Sequence, residues 1–360
     1  MGSLGFDAPK HNVLVIGSGG VGTMAAYALE KGGRATVTAV LRSNFAVVQK
    51  RGFDIDSRDH GKISGWRPSH IRNTIPNTAE EAQLQPYDFV VVTTKNIADI
   101  PPSVATLIAP VVTPGRTVIA LLQNGLNIEK PIVAAFPNNP VISGVPYIGA
   151  SQSSLGNIKH VNHDKLIISP FSNPNIPASR CERAAEEFQR AYSCRGVTCI
   201  YEPNVDAARW KKLLYNSSYN TVATILRMDT SRMRVSEHII DSLIRPAMQE
   251  IQAAAKAVAG LDISDETIEE TIRIDTFEAF FRPSMLQDAE KGNLTEFENI
   301  LGEPLRDAER HGVPTPTLRV IYSILKGLQW QTMESKGLIT VPQVSSSTMK
   351  YGMRAANGVA

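Results

Sequence analysis

The stretch KKLLYNSSYN, residues 211–220, sets Lys212, Asn216 and Asn220 at two successive intervals of four. On a helix that spacing gathers one amine and two amides within roughly an 80° arc of a single face. Trp210, Leu213 and Leu214 make the rest of the helix apolar enough to be buried. Partial burial draws an ammonium below its ordinary pKa of about 10.4 and makes it a better acid near neutrality. Such a group can protonate and stabilise the alkoxide that forms when a hydride adds to a ketone. Two amides on the same face could hold a carboxylate and hydroxyls of the same molecule. The structural alternative is that Lys212 snorkels and the amides satisfy backbone or water.

A hydride donor has its own signature. VLVIGSGGVGTMAA (13–26) carries Gly17, Gly19 and Gly22 in GxGxxG spacing, directly after an apolar run and opening a helical pattern. In that context the loop Gly17, Ser18, Gly19, Gly20, Val21, Gly22 predicts a tight turn, close backbone approach to a pyrophosphate, and phosphate charge at a helix N-terminus. The alternative is a glycine-rich turn that binds nothing. The second strand ends in Leu41, Arg42 and Ser43 with no acid. A guanidinium there suits a ribose 2′-phosphate, so NADPH is the expected cofactor.

The elements that must hold these groups are legible in outline. Apolar strands at 12–17, 35–42, 87–95 and 116–125 alternate with helical patterns, which predicts a parallel sheet covered on both faces. Residues 52–71 read as a small antiparallel addition, and 139–170 as further strands ending the sheet. From about Val205 to Lys336 the pattern is helical, broken by Pro and Gly at 257–264, 281–284, 301–304 and 311–317. The expected organisation is an α/β dinucleotide-binding domain over 1–203, an all-α domain over 204–345, and a loose tail over 346–360.

Composition bounds the rest. A chain of 360 residues suffices for two domains, and a net charge of +2 leaves no basic face for nucleic acid or a membrane surface. No run is long and apolar enough to span a bilayer, the N-terminus lacks a secretory apolar region, and Gly2 lacks Ser or Thr at position 6. Cys181, Cys194 and Cys199 show no CxxC spacing, as expected of reduced thiols in the cytoplasm. Neither HExxH nor clustered Cys and His suggests a metal.

Taken in order, GSGGVG, the LR ending the second strand, VTTK with Lys95, QNG with Asn124, WKKLLYNSSYN, and PSMLQDAEKGNLTE resemble the ketopantoate reductase (2-dehydropantoate 2-reductase) family, over about residues 12–336. The resemblance implies a Rossmann domain followed by a helical domain of the 6-phosphogluconate dehydrogenase kind, the latter able to support a homodimer. It implies Lys212 as general acid, Asn216 and Asn220 as substrate amides, Ser284 as a contact to the substrate carboxylate, and Glu296 as a catalytic glutamate at the cofactor–substrate junction. Lys95 and Asn124 match residues around the nicotinamide end, and Ala150 a backbone contact to cofactor. Each has a plainer role: Ser284 as a helix cap, Asn124 as a turn residue, Glu296 as an exposed helix residue or cap, Lys95 as a solvating strand end.

Two departures bear on the substrate. Thr221 stands where the family commonly has proline, and LRMDTSRM (226–233) lacks a further asparagine, for which Thr230 or Ser231 could substitute. The implied reaction is reduction of 2-dehydropantoate to pantoate. Reduction of another branched or aromatic 2-keto acid, such as 2-ketoisovalerate, is the alternative. A 3-hydroxy-acid, hydroxyacyl-CoA or imine-reducing dehydrogenase on this architecture would favour another constellation, such as a His–Glu pair or a lysine in another motif, and a cofactor-sensing regulator would not need to keep Lys212, Asn216, Asn220, Ser284 and Glu296 together.

Overall fold

The computed structural model describes residues 9–81 and 83–341; the readings of the extreme N-terminus and of the tail 346–360 lie outside the described residues. Strand β1 (His11–Ile16) is apolar on both faces because both faces are covered. Val13 and Val15 join a core with Met24 and Ala28 of helix α1 (Gly20–Lys31), whereas Leu14 and Ile16 face Ile108, Val111 and Ile132 on the other side. Burying each such side chain contributes about 1.5–3 kcal/mol before ordering costs.

The strands that follow are β2 (Ala35–Val40), β3 (Phe53–Ser57), β4 (Gly61–Trp66), β5 (His70–Arg72), β6 (Phe89–Val92) and β7 (Val118–Leu122). After them come β8 (Val141–Tyr147), β9 (Ala150–Ser154), β10 (Asn157–His160), β11 (Asp164–Phe171) and β12 (Val197–Tyr201). An eight-stranded sheet runs in the order β12-β11-β8-β7-β6-β1-β2-β5. From β8 to β5 every pairing is parallel, and β11 is antiparallel to β8. The chain leaves β1 first toward β2 and later returns on its other side as β6. This reversal opens a crevice at the C-terminal ends of β1 and β6, where ligands of such sheets bind.

Several expectations need correction. The stretch 139–170 does not simply end the main sheet: β9 and β10 peel away and form a second sheet, β4-β3-β10-β9, with the β3–β4 hairpin. The expected strands were too long, since β2 stops at Val40, β6 at Val92 and β7 at Leu122. The residues beyond those ends bend out of the sheet toward the crevice. Helix α2 (Ala178–Tyr192), unanticipated, covers one face with Cys181, Ala184, Ala185, Phe188 and Ala191 at helical spacing.

Beyond β12 the described chain is helical and includes α3 (Val205–Tyr215), α4 (Thr221–Leu226), α5 (Arg245–Ala259), α6 (Ser284–Glu290), α7 (Glu303–Arg310) and α8 (Pro316–Ser335), with two further helices, Thr230–Val235 and Asp265–Ile272, between them. Trp210, Leu213 and Leu214 pack with Met248, Ile251, Phe297 and Leu301 in one core. Asn216–Asn220 is a π-helical segment that joins α3 to α4; two more lie at Ile240–Ile244 and Glu298–Gly302, the last leading straight into α7. The break expected at 301–304 is therefore absent. Pro304 has no N–H to give within this continuous helix, and the Asn299 and Ile300 carbonyls accept instead from Leu126 N at 2.8 Å and the Ser217 hydroxyl at 2.7 Å.

The hydroxyls of this polar, buried stretch are bonded inside the core. Ser218 donates its hydroxyl to the Leu214 carbonyl, Thr221 to Ser217 O at 2.7 Å, and Thr224 to Asn220 O at 2.6 Å. Each hydroxyl thus bonds a carbonyl one turn back, which satisfies it within the buried core.

Candidate active site

Gly17 ends β1 at φ 105°, a left-handed conformation that glycine alone adopts freely, and the loop turns sharply there. A Cβ on Gly22 would lie 1.7 Å from the Gly17 carbonyl oxygen, and one on Gly20 would lie 2.2 Å from Ala150 O. Both glycines thus allow helix α1 to close on its neighbours. Around Gly19, by contrast, a Cβ would meet nothing within 4 Å. Gly19 caps α1 with no side-chain partner and no acid follows in the first turn, so the N–H groups at this end lack protein acceptors. An open, positively polarised helix end beside close-packed glycines fits a dinucleotide pyrophosphate.

The loop is pinned from several directions. Ser18 donates its hydroxyl to Val40 O at 2.8 Å, so only its backbone can face a cofactor. Asn44, absent from the sequence reading, donates to Ser18 O at 2.8 Å and Gln152 Oε1 at 2.7 Å, and accepts from Gly156 N at 2.9 Å. It ties the glycine loop to the small sheet. Arg42 opens a short turn after β2 with its side chain exposed, on the side where the adenosine half of a dinucleotide would extend. Ala150 begins β9 against the N-terminus of α1.

At the other end of the crevice a carboxylate gathers the loops. Glu296 is 5% exposed. It accepts from the Asn96 amide at 3.0 Å and from Asn124 Nδ2 at 3.5 Å, and lies 3.4 Å from Lys95 Nζ. Lys95 also pairs with Asp288 of α6 at 2.8 Å. Burial pulls the Lys95 ammonium down, but Glu296 and Asp288 outweigh it, and its pKa is raised. Glu296 is thus neither an exposed helix residue nor a cap; it knits β6, β7 and the helical core together. Asp288 was missed, although it lies one helical turn beyond Ser284 in the same motif.

Lys212 is half-buried on α3. Its ammonium donates to the Pro146 carbonyl and stands 5.1 Å over the Tyr147 ring, both at the end of β8. Burial and the nearby Arg209 guanidinium bring it down to about 7, against the opposing pull of Glu296; Lys95 adds to the decrease. Burial likewise pushes the Tyr147 hydroxyl up to about 12. Asn216 and Asn220 are buried and bonded to each other, Nδ2 to Oδ1 at 3.2 Å, so they do share a face.

Ser284 is exposed at the first turn of α6, which packs on α4 and the π segment, and its hydroxyl makes no capping bond. The capping role is therefore excluded for it. Of the two stand-ins for the missing asparagine, Thr230 has a buried hydroxyl with no partner among the described residues, whereas Ser231 is bonded. Thr230 and Ser231 are each 1% exposed, and the Ser231 hydroxyl accepts from the Phe280 amide at 3.1 Å. Ser231 is committed to the protein.

The loop after β7 reaches deepest into the helical core. A Cβ on Gly125 would lie 2.5 Å from Asn299 Cβ, and Leu126 N donates to Asn299 O at 2.8 Å. The arrangement therefore offers a helix end for phosphates, an amide–carboxylate–ammonium cluster in the crevice, and an ammonium of near-neutral pKa facing them.

Comparison with known proteins agrees in both halves. A family model described as ketopantoate reductase PanE/ApbA matches residues 13–173, and its C-terminal counterpart matches residues 204–329. An uncharacterized protein of Saccharomyces cerevisiae, YDL144C, is 39% identical over 348 residues, covering 91% of this chain and 96% of that protein. A 2-dehydropantoate 2-reductase of a Nostoc species is 26% identical over 321 residues, 87% of this chain and 94% of its own. The crystal structure of 2-dehydropantoate 2-reductase from Methylococcus capsulatus aligns at a TM-score of 0.72 and 29% identity, covering 89% of this chain and 97% of that one.

Proposed function

The chain belongs to the ketopantoate reductase family, and from that premise we propose that it uses NADPH to reduce a 2-keto acid to the 2-hydroxy acid, with 2-dehydropantoate to pantoate as the reaction. Membership makes it an oxidoreductase acting on CH–OH groups with a nicotinamide dinucleotide. The observation that carries the finer reading is the Lys212 ammonium, held by Pro146 and Tyr147 with a pKa of about 7 on the helix that also bears Asn216 and Asn220.

In this reading Gly17 to Gly22 and the Ala150 backbone hold the pyrophosphate, and Arg42 holds the 2′-phosphate. Lys95, Asn124 and Glu296 order the nicotinamide end. NADPH when bound supplies the hydride for the ketone carbon. Lys212 gives its Nζ proton to the ketone oxygen as charge develops there, and its positive charge stabilises that oxygen beforehand. Asn216 and Asn220 orient the hydroxyl and carboxyl groups of the substrate, and Ser284 contacts the carboxylate. The chain has three free cysteines, which supports a reducing compartment such as the cytoplasm. Among the described residues no helix is long and apolar enough to cross a membrane.

A second reading keeps the chemistry and changes the acid. With Ser231 bonded to Phe280, only the unpartnered Thr230 hydroxyl stands in for the extra amide, and a weaker distal site favours a keto acid without a distal hydroxyl, such as 2-ketoisovalerate. The test is NADPH oxidation at 340 nm with ketopantoate, 2-ketoisovalerate, 2-ketoisocaproate and phenylglyoxylate. Preferred turnover of ketopantoate supports the first reading, and preference for another acid the second. No turnover of any of them, with NADPH still bound, would overturn both.

A further inference from the structure

A buried ion pair beneath Lys212 has no part in the chemistry above. Arg209 and Glu129 have side chains only 3% and 1% exposed, with Arg209 Nη2 2.7 Å from Glu129 Oε1. The guanidinium spends its other donors on β8 and the loop after β7: Nε on Ser143 Oγ at 2.9 Å, and Nη1 on Gln123 O at 3.1 Å and Gly125 O at 2.7 Å. The two carbonyls flank Asn124. Ser143 in turn donates its hydroxyl to Glu129. Every contact is to a fixed group, and the planar fork of Arg suits this geometry where Lys would not.

We propose that Arg209, held by Glu129, is a positioning residue for the reduction. It locks the helix bearing Lys212 to the loop bearing Asn124 and lays a positive charge one turn below the Lys212 ammonium. The inference rests on the reading of Lys212 as proton donor. A buried ion pair rarely adds net stability over apolar residues of the same volume, so stability alone does not account for it. Arg209 precedes Lys212 by three residues, and side chains at that spacing are neighbours on a helix. The charged and titratable groups around Lys212 are then Arg209 on its own helix, Glu129 behind Arg209, Tyr147 from β8 with Lys165 of β11 over the same ring, Glu296, and Lys95 with Asp288 behind it. After burial, Arg209 has the largest electrostatic effect on Lys212.

The experiment follows Lys212 itself. Its trace acetylation rate is measured against pH by peptide mass spectrometry on the full-length protein, without substrate. Glu129→Gln keeps volume and an acceptor but leaves the Arg209 charge unopposed, so the Lys212 midpoint moves to lower pH. The double variant Arg209→Met with Glu129→Gln leaves no buried charge behind, and the midpoint moves up by about one pH unit or more. The alkaline limb of kcat/KM shifts in the same two directions. Arg209→Lys keeps the charge but loses the fork, so kcat falls about tenfold or more while the midpoint stays.

Opposite shifts support the proposal, because a merely structural pair would not produce them. Midpoints that stay put, or move the same way in both folded variants, overturn it. Glu129→Gln carries the test alone if the double variant fails to fold. Opposite shifts in a protein that reduces no 2-keto acid would sink the reductase reading and leave the tuning of Lys212 standing.

Discussion

At the scale of single residues, Lys212 combines two properties that an exposed lysine lacks: a depressed pKa and a fixed direction. Its proton is available only while the amine is charged, so reduction falls as pH rises through about 7. Lys212→Met removes the donor, and turnover drops by roughly 10²–10⁴ while NADPH binding measured by fluorescence persists. The same shift has a thermodynamic consequence. An unfolded lysine titrates near about 10.4, so between pH 7 and that value the unfolded chain binds the proton more tightly. This group therefore disfavours folding at neutral pH, and its penalty fades as pH rises toward that of the unfolded lysine. Lys212→Met accordingly raises Tm at pH 7 more than at pH 10. Arg42 is tested by competition between cofactors: Arg42→Ala weakens NADPH far more than NADH, and equal loss for both would show that it does not read the 2′-phosphate.

At the scale of elements, the glycine loop separates two kinds of glycine. Gly22 faces the Gly17 carbonyl at a distance no Cβ could share, whereas Gly19 faces open space. Gly22→Ala thus forces α1 away from β1, and both thermal stability and cofactor binding suffer. Gly19→Ala folds with an unchanged Tm yet binds NADPH less tightly, because its methyl occupies the space the phosphates need. Unchanged cofactor affinity in a folded Gly19→Ala protein would place the pyrophosphate elsewhere. The π segment Asn216–Asn220 is tied inward and outward: the Ser218 hydroxyl bonds the Leu214 carbonyl one turn back, and the Ser217 hydroxyl reaches the π segment Glu298–Gly302 at Ile300 O, 2.7 Å away. Lys212, Asn216 and Asn220 at intervals of four are legible without coordinates. The widened turn that carries two of them is not, because a hydroxyl in a sequence does not reveal which carbonyl it satisfies.

At the scale of the molecule, sheet and helices meet across a polar seam. Arg209–Glu129, Glu296 with Asn96, and Gly125–Leu126 against Asn299 all cross it. Buried charges here are sensitive to loss of one partner. Arg209→Met alone strands Glu129 and costs roughly 3–5 kcal/mol in denaturant unfolding, and the double variant with Glu129→Gln costs less than that single change. The order and types of residues by themselves determined the dinucleotide loop, the apolar strands, the change to helices after Val205 and the family, because these depend on spacing within a few residues or on motifs in sequence order. Only the tertiary structure decided that β9 and β10 leave the main sheet and that Asp288, Arg209 and Tyr147 join the site. It alone decided that Ser231 is taken by Phe280 and that burial and Arg209 draw the Lys212 ammonium below its ordinary pKa. Each of these turns on burial and on partners distant in the chain, and the free energy of a charge or hydroxyl is set by what surrounds it.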